Sequence, residues 1–410
     1  MANTVEPDDP SRWRLPEYPS YLDLLDGAHS VPTSARGSVD AIVVPAGRQA
    51  AAIAHAAQLA QQVGTVLVVL CSHNASAGEA AERLAGYQRL VWYAVDIPSG
   101  HSHPLLEQTA RSVIPQGLVT RSDLSRKRNI GLILGKGLGD RLLFLDDDIK
   151  LQAAGVREAA RLLSRYSMAG FRPHQDSFPD NSVAMHALRA LRRLQPAGKY
   201  GFDSPIGQHI SGNSLAINPQ VVATHFPEGI YDEDWLFMYE ATMRRSVART
   251  HETSWQAEYD PFASPERAGH EEFGNIMSGG LYDHLKTSPV PGLRDERYWK
   301  GVLEERWEQL GMLCEAAQEC SPRGRQSDRP ESADTTLLQH VPKIERSLMA
   351  ALEMSRSITP DMCVAYYRAW HDVDRPQWSA RYSELPASRG VEHMLGLLEL
   401  LPHTIRSSMS

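Results

Sequence analysis

Four short apolar runs, each separated from the next by a segment of helical character, constrain this chain more than any other feature. They are Val39-Asp40-Ala41-Ile42-Val43-Val44-Pro45, Thr65 to Cys71, Leu90 to Ile97 and Leu142 to Leu145. Between them lie an alanine-rich stretch from Gln49 to Gln62, then Gly78 to Tyr87, then Asp123 to Leu134, all read as helices. Strands buried on both faces read as near-continuous apolar runs, and parallel neighbours need a crossover helix to join them. The pattern therefore predicts an α/β fold with a mostly parallel sheet sandwiched by helices. In such sheets ligands bind beyond the carboxyl ends of the strands.

The fourth run ends in charge. Leu142-Leu143-Phe144-Leu145 leads directly into Asp146-Asp147-Asp148 and then Ile149. Alternation along an extended strand would put Asp146 and Asp148 on one side and Asp147 on the other. Two carboxylates aimed at one spot repel each other. A hard divalent cation, Mg²⁺ or Mn²⁺, held by one or two carboxylates and by substrate phosphates, relieves that repulsion. The plainer alternative is a strand end with a solvated acidic turn.

Composition narrows the class. A length of 410 residues, 42% hydrophobic and 22% charged, suits a globular chain with a substantial core. The formal net charge of −8 argues against a nucleic-acid-binding surface. Four cysteines, Cys71, Cys314, Cys320 and Cys363, lack metal-ligand spacing and indicate neither a disulfide framework nor a zinc site. No cationic-then-apolar leader is evident, and no apolar run nears the roughly 20 residues of a membrane helix. The expectation is a cytoplasmic protein with no membrane span.

Organisation along the chain follows the same cues. Residues 1–36 are rich in Pro, Asp and Ser and read as an irregular arm; residues 37–310 hold the α/β domain. From Ser321 to Thr335 apolar residues nearly vanish, so residues 311–336 read as a linker or disordered loop. Leu337 to Met354 and Val391 to Leu401 are amphipathic, giving a C-terminal helical extension over residues 337–410. Past Asp148 the alternation loosens. A helix from Val156 to Tyr166, a turn at Phe178-Pro179-Asp180-Asn181, a short strand from Ile210 to Ile217 and a helix from Trp235 to Arg245 are expected there.

A second acidic cluster, Tyr231-Asp232-Glu233-Asp234-Trp235, is wedged among aromatics. Desolvation there would raise a carboxylate's pKa and make it a better base; alternatively Asp232 or Asp234 caps the following helix. Upstream, Arg126, Lys127 and Arg128 open a helix that then turns apolar. Cations oppose the helix dipole at that end unless an anion compensates. Asp123 either caps this helix or reaches a base or ribose. Gly135-Lys136-Gly137-Leu138-Gly139 lacks the Lys-Ser/Thr pair of a phosphate loop and reads as a flexible turn.

Taken in order, these pieces resemble a glycosyltransferase of the GT-A fold, in particular the family-2-like enzymes that use nucleotide sugars. The matching segments are Ala41-Ile42-Val43-Val44-Pro45, Arg128-Asn129-Ile130-Gly131, Phe144-Leu145-Asp146-Asp147-Asp148 as the DxD motif, Ser211-Gly212-Asn213, and Glu233-Asp234, which begins 85 positions after Asp148. The resemblance spans residues 39 to 280. It implies that Asp146 lies near the donor ribose and that Asp148, with Asp146, holds Mn²⁺ or Mg²⁺. It further implies that Arg128 or Lys127 neutralises the diphosphate of a nucleoside-diphosphate sugar. Gly212 and Asn213 would line the sugar pocket, and Asp234, or else Glu233, would take the proton from an acceptor hydroxyl. His251 and His270 are candidates for a further metal ligand. Two other readings remain: a nucleotidyltransferase or nucleotide-sugar pyrophosphorylase, and a non-catalytic nucleotide-sugar-binding protein. Donor base, donor sugar, acceptor and oligomeric state are not encoded in any motif.

Overall fold

The computed structural model of the chain describes residues 21–25, 35–120, 122–174, 182–194, 210–287, 292–321 and 335–407. Most of the expected N-terminal arm, the Phe178–Asn181 turn and half of the expected linker lie outside the described residues, and residues 311–320 of that linker are helical instead.

Among the described residues, nine strands form one sheet: β1 (Ala41–Ala46), β2 (Val66–Cys71), β3 (Trp92–Asp96), β4 (Leu142–Leu145), β5 (Ile149–Lys150), β6 (Met168–Pro173), β7 (Ser214–Ile217), β8 (Val247–Gln256) and β9 (Thr404–Arg406). Their order is β5-β8-β6-β7-β4-β1-β2-β3-β9. The four apolar runs of the sequence become β1 to β4, all parallel to one another. β6 and β8 are parallel to each other and, across β7, run the same way as β1 to β4, so six of the nine strands share one direction. β7 runs antiparallel to both β4 and β6, and the edge strands β5 and β9 are also antiparallel to their neighbours, so the sheet is mixed. The missed strands carry weak local signals. β6 (MAGFRP) contains Gly and Pro, β8 (VARTHETSWQ) is largely polar, and β9 is three residues long.

Side-chain alternation divides β1 between two cores. Ala41 and Val43 face one apolar cluster, while Ile42, Val44 and Ala46 face the other. The helix Leu124–Leu138 covers the first face. Its glycines are not a flexible turn: Gly135 lies inside the last helical turns, where a Cβ would come within 2.7 Å of Leu142. The absent side chain lets the helix seat on β4.

The helix Glu296–Cys320 runs unbroken through position 310, and the helix Thr335–Ser357 packs on it and on the helix Pro265–Thr287. Trp370, Trp378, Tyr382 and Met394 belong to the same cluster as Ala41 and Val43. Tyr382 donates its hydroxyl proton towards the carbonyls of Leu132 (3.1 Å) and Pro219 (2.8 Å). The C-terminal residues therefore complete the core of the sheet. Among the described residues, no helix is long and apolar enough to cross a membrane.

From β1 the chain winds outward through β2 and β3, then returns to the other side of β1 as β4. That reversal of direction opens a crevice beyond the carboxyl ends of β1 and β4. Ala46-Gly47-Arg48 and Asp146-Asp147-Asp148 meet at its rim.

Candidate functional site

A cavity of about 420 Å³ occupies the crevice. Its acidic wall does not have the geometry that strand alternation predicts. β4 stops at Leu145, and Asp146–Asp148 form a turn closed by the Ile149 N–H donating to the Asp146 carbonyl at 3.1 Å. A turn lets the three adjacent carboxylates spread among several donors, with Asp147 and Asp148 sharing the Arg48 guanidinium. Both oxygens of Asp146 accept from Arg128 Nη2 at 3.0 Å. Asp147 turns back to β1 and accepts from the Gly47 and Arg48 N–H groups, each at 3.0 Å, and from the Arg48 guanidinium. Asp148 accepts from Arg48 Nη2 and Gln256 Nε2, both at 3.1 Å. All three still line the cavity.

The three cations at the start of the helix Leu124–Leu138 are committed to the protein. Arg126 turns away to Glu228 (2.7 Å) and the His101 carbonyl (2.6 Å). Lys127 donates to the Ala46 carbonyl at 2.9 Å and Ser72 Oγ at 2.8 Å, and pairs with Asp123 at 3.2 Å. Asp123 makes no capping bond; it faces His73 (3.2 Å) as well as Lys127. Burial pushes the Asp123 carboxyl up, but Lys127, Ser72 and His73 outweigh it and hold it below its ordinary value. The expected helix-terminus anion site is thus filled by the protein's own acceptors.

Arg128 is the hub of the deep wall. Beyond Asp146 it donates through Nη1 to Glu233 at 2.7 Å, and its guanidinium lies 5.4 Å from the Phe226 ring centroid. Because β7 pairs antiparallel with β4, Ser214 sits opposite Leu145, so the residues entering β7 lie beside those leaving β4. The Asp146 N–H consequently donates to the Asn213 carbonyl at 2.8 Å. The same loop holds Asp234: its Oδ2 accepts from the Gly212 N–H at 2.5 Å and Ser211 Oγ at 3.2 Å, and its Oδ1 from the Trp235 N–H at 3.0 Å. A Cβ on Gly212 would lie 2.5 Å from that of Asp234, so only glycine admits this approach. Asn213, Glu233 and Asp234 line the cavity, whereas Gly212 backs it. Asp232 does not cap the helix Glu233–Met243. It takes a left-handed backbone (φ 56°) and accepts from Ser278 at 2.8 Å.

Burial pushes both Asp146 and Glu233 up to about 7. Arg128 pulls each down again in part, while Asp148 and Asp147 repel Asp146, and Asp234 repels Glu233. For Arg128 itself, burial works against the charge, but Asp146, Glu233 and Asp234 outweigh it and hold the guanidinium above its ordinary range. A stability consequence follows for Glu233. Its folded value lies above its ordinary 4.5, so the folded state binds the extra proton, and stability falls as pH rises from 4.5 through about 7. Thermal melts across that window should show the wild type losing ground steadily to Glu233→Gln. A constant difference between the two would mean that Glu233 does not titrate there.

His251 and His270 do not join the site. His251 is exposed on β8 and pairs with Glu158 at 2.6 Å, and neither histidine lines the cavity. Among the described residues, no group of three or more His, Cys, Asp or Glu side chains is arranged to hold a metal ion. The structure instead brings in residues that the motifs did not mark: Arg48, His73, Gln256 and Arg267. Arg48 had a legible signal, since it follows the carboxyl end of the first strand. Gln256 and Arg267 come from segments with no motif at all. Seven lining carboxylates (Asp123, Asp146, Asp147, Asp148, Asp232, Glu233, Asp234) face four lining cations (Arg48, Lys127, Arg128, Arg267). The formal excess is three negative charges. The segment Glu271-Glu272-Phe273-Gly274 is structural: Glu271 accepts from the Val183 N–H at 2.9 Å and Glu272 pairs with Arg306 at 2.7 Å.

No known family model matches the sequence, and no curated protein matches it.

Proposed function

We propose that this protein is a GT-A-type glycosyltransferase that moves a sugar from a nucleoside-diphosphate sugar to an acceptor hydroxyl, with inversion and with Asp234 as base. One observation carries the reading. A crevice at the topological switch point has the acidic turn Asp146–Asp148 on one wall and Asp234, fixed by three hydrogen bonds, in the same cavity. Sugar transfer needs a place for the diphosphate and a base beyond the anomeric carbon, and this crevice offers both.

The donor set favours a divalent cation. The excess negative charge of the lining would repel a diphosphate unless a cation accompanied it. Asp148 is the carboxylate fit to hold Mn²⁺ or Mg²⁺, because its partners are an exposed arginine and an amide, whereas Asp146 is gripped from both oxygens by Arg128. With one or two carboxylates from the protein, phosphate oxygens and water would complete the shell. Such an ion offsets the charge that develops on the leaving diphosphate.

The protein's own residues do the rest. Arg128 keeps Asp146 and Glu233 in place from below. A carboxylate has about four lone-pair sites, and the three bonds to Asp234 leave room for an acceptor hydroxyl. As that oxygen attacks the anomeric carbon, its proton passes to Asp234 and the bond from the anomeric carbon to the diphosphate oxygen breaks. Inversion follows from attack opposite the leaving group.

Incubation with a panel of nucleoside-diphosphate sugars and Mn²⁺, followed by chromatography of the nucleotide products, tests this reading. Release of a nucleoside diphosphate supports it. Pyrophosphate released in a parallel incubation with nucleoside triphosphates and sugar 1-phosphates would identify a nucleotidyltransferase instead, and binding without turnover a nucleotide-sugar-binding protein.

A further inference from the structure

We infer that Arg48 is a displaceable counter-ion of the donor site: it pairs with Asp147 and Asp148, and on donor binding yields Asp148 and turns onto the incoming diphosphate. The inference rests on the reading above and adds to it a residue that no motif identifies.

The four cations that line the cavity differ in freedom. The side chains of Lys127 and Arg128 are each only 3% exposed, Lys127 held by Asp123, Ser72 and the Ala46 carbonyl and Arg128 by Asp146 and Glu233. Arg267 is held by Glu271 at 2.6 Å. Arg48 alone among the four is more than half exposed, at 56% of its side chain, while the carboxylates it bridges are 3% and 9% exposed. An exposed arginine loses little when it rotates away, because water takes over its hydrogen bonds. The buried aspartates, in contrast, must keep a positive charge beside them. A divalent cation at Asp148 would supply that charge and free the guanidinium. The planar fork that bridges two carboxylates matches phosphate oxygens equally well.

The backbone makes the swap possible without moving the loop. The Gly47 and Arg48 N–H groups hold Asp147 at 3.0 Å independently of the Arg48 side chain. Asp147 is therefore the latch between the β1 loop and the β4 turn, and the guanidinium is free to leave. For the same reason Arg48→Gln should fold.

The test measures Mn²⁺ binding by electron paramagnetic resonance, with no nucleotide present, and then binding of inorganic pyrophosphate at saturating Mg²⁺. Removing one positive charge a few ångströms from the ion should tighten Mn²⁺ binding to Arg48→Gln roughly tenfold. The same variant should bind pyrophosphate roughly tenfold more weakly, and Arg48→Lys should fall between it and the wild type. Opposite shifts for the two probes are the signature; a merely structural defect would weaken both. Equal or weaker Mn²⁺ binding by Arg48→Gln, or unchanged pyrophosphate binding, overturns the inference. Asp148→Asn separates the two levels of the argument. If the wild type binds Mn²⁺ and Asp148→Asn does not, but Arg48→Gln behaves as wild type, only the role of Arg48 falls. If the wild type binds no Mn²⁺, the cation assignment falls and the role of Arg48 with it.

Discussion

Asp234→Asn is expected to lower sugar transfer by ~10²–10⁴, the loss typical when a positioned base is removed, while leaving nucleotide-sugar binding nearly intact. An asparagine retains the shape, and its single oxygen can still accept from the Gly212 N–H that holds Oδ2 at 2.5 Å. It cannot also accept from the Trp235 N–H, now at 3.0 Å from Oδ1, so a modest fall in melting temperature should accompany the change. Single-turnover rates with saturating donor separate the chemical step from binding. Glu233 is the rival base, because burial brings it to about 7, closer to the pH at which a base works best. Its Oε1, however, is held by Arg128 at 2.7 Å. Glu233→Gln should therefore keep most of the transfer rate. The reverse pattern, with Glu233→Gln inactive and Asp234→Asn active, would move the base by one residue and leave the rest of the site standing.

Removal of Arg128 should have the largest effect on stability. Arg128→Met would strand Asp146 and Glu233, two buried carboxylates that now share one guanidinium. Breaking a buried ion pair from one side costs about 3–5 kcal/mol, enough to lower the melting temperature steeply. The loss should depend on pH. With burial already raising both carboxyls to about 7, loss of the arginine raises them further, so acid restores neutral groups that tolerate burial. Melts at pH 5.5 and pH 8 should thus show a smaller deficit at the lower value. Arg128→Lys should recover only part of the stability, because an ammonium lacks the fork that spans two carboxylates at 3.0 and 2.7 Å. A deficit that is the same at both pH values would mean that the arginine acts by packing against Phe226 rather than through its charge.

The first half of the sheet was legible because burial on both faces leaves a plain mark in sequence. β1, β2, β3 and β4 each appear as an apolar run, and β4 was placed to the residue. The second half left a weaker mark: β7 falls inside the strand expected from Ile210 to Ile217, but β6 and β8 lack a plain apolar run. β8 has an exposed, polar face, and β9 depends wholly on pairing with β3 at the sheet edge. For the site, residue types in order were enough to mark Asp146, Asp148, Arg128, Asn213 and Asp234, all of which reach one cavity. Histidine identity alone was not enough: His251 and His270 lie elsewhere, because nothing in local sequence says which way a lone side chain points.

What the sequence determined by itself is the strand–helix alternation and the presence of carboxylates at a strand's carboxyl end, since periodicity and charge are local properties of the chain. What only the tertiary structure decided is who neutralises whom. The antiparallel entry of β7 beside β4 sets Asn213 against Asp146, and the return of β4 beside β1 sets Arg48 against Asp147 and Asp148. These partners lie 67 and about 100 positions apart. Electrostatic pairing depends on distance in space, and only the assembled sheet fixes that distance.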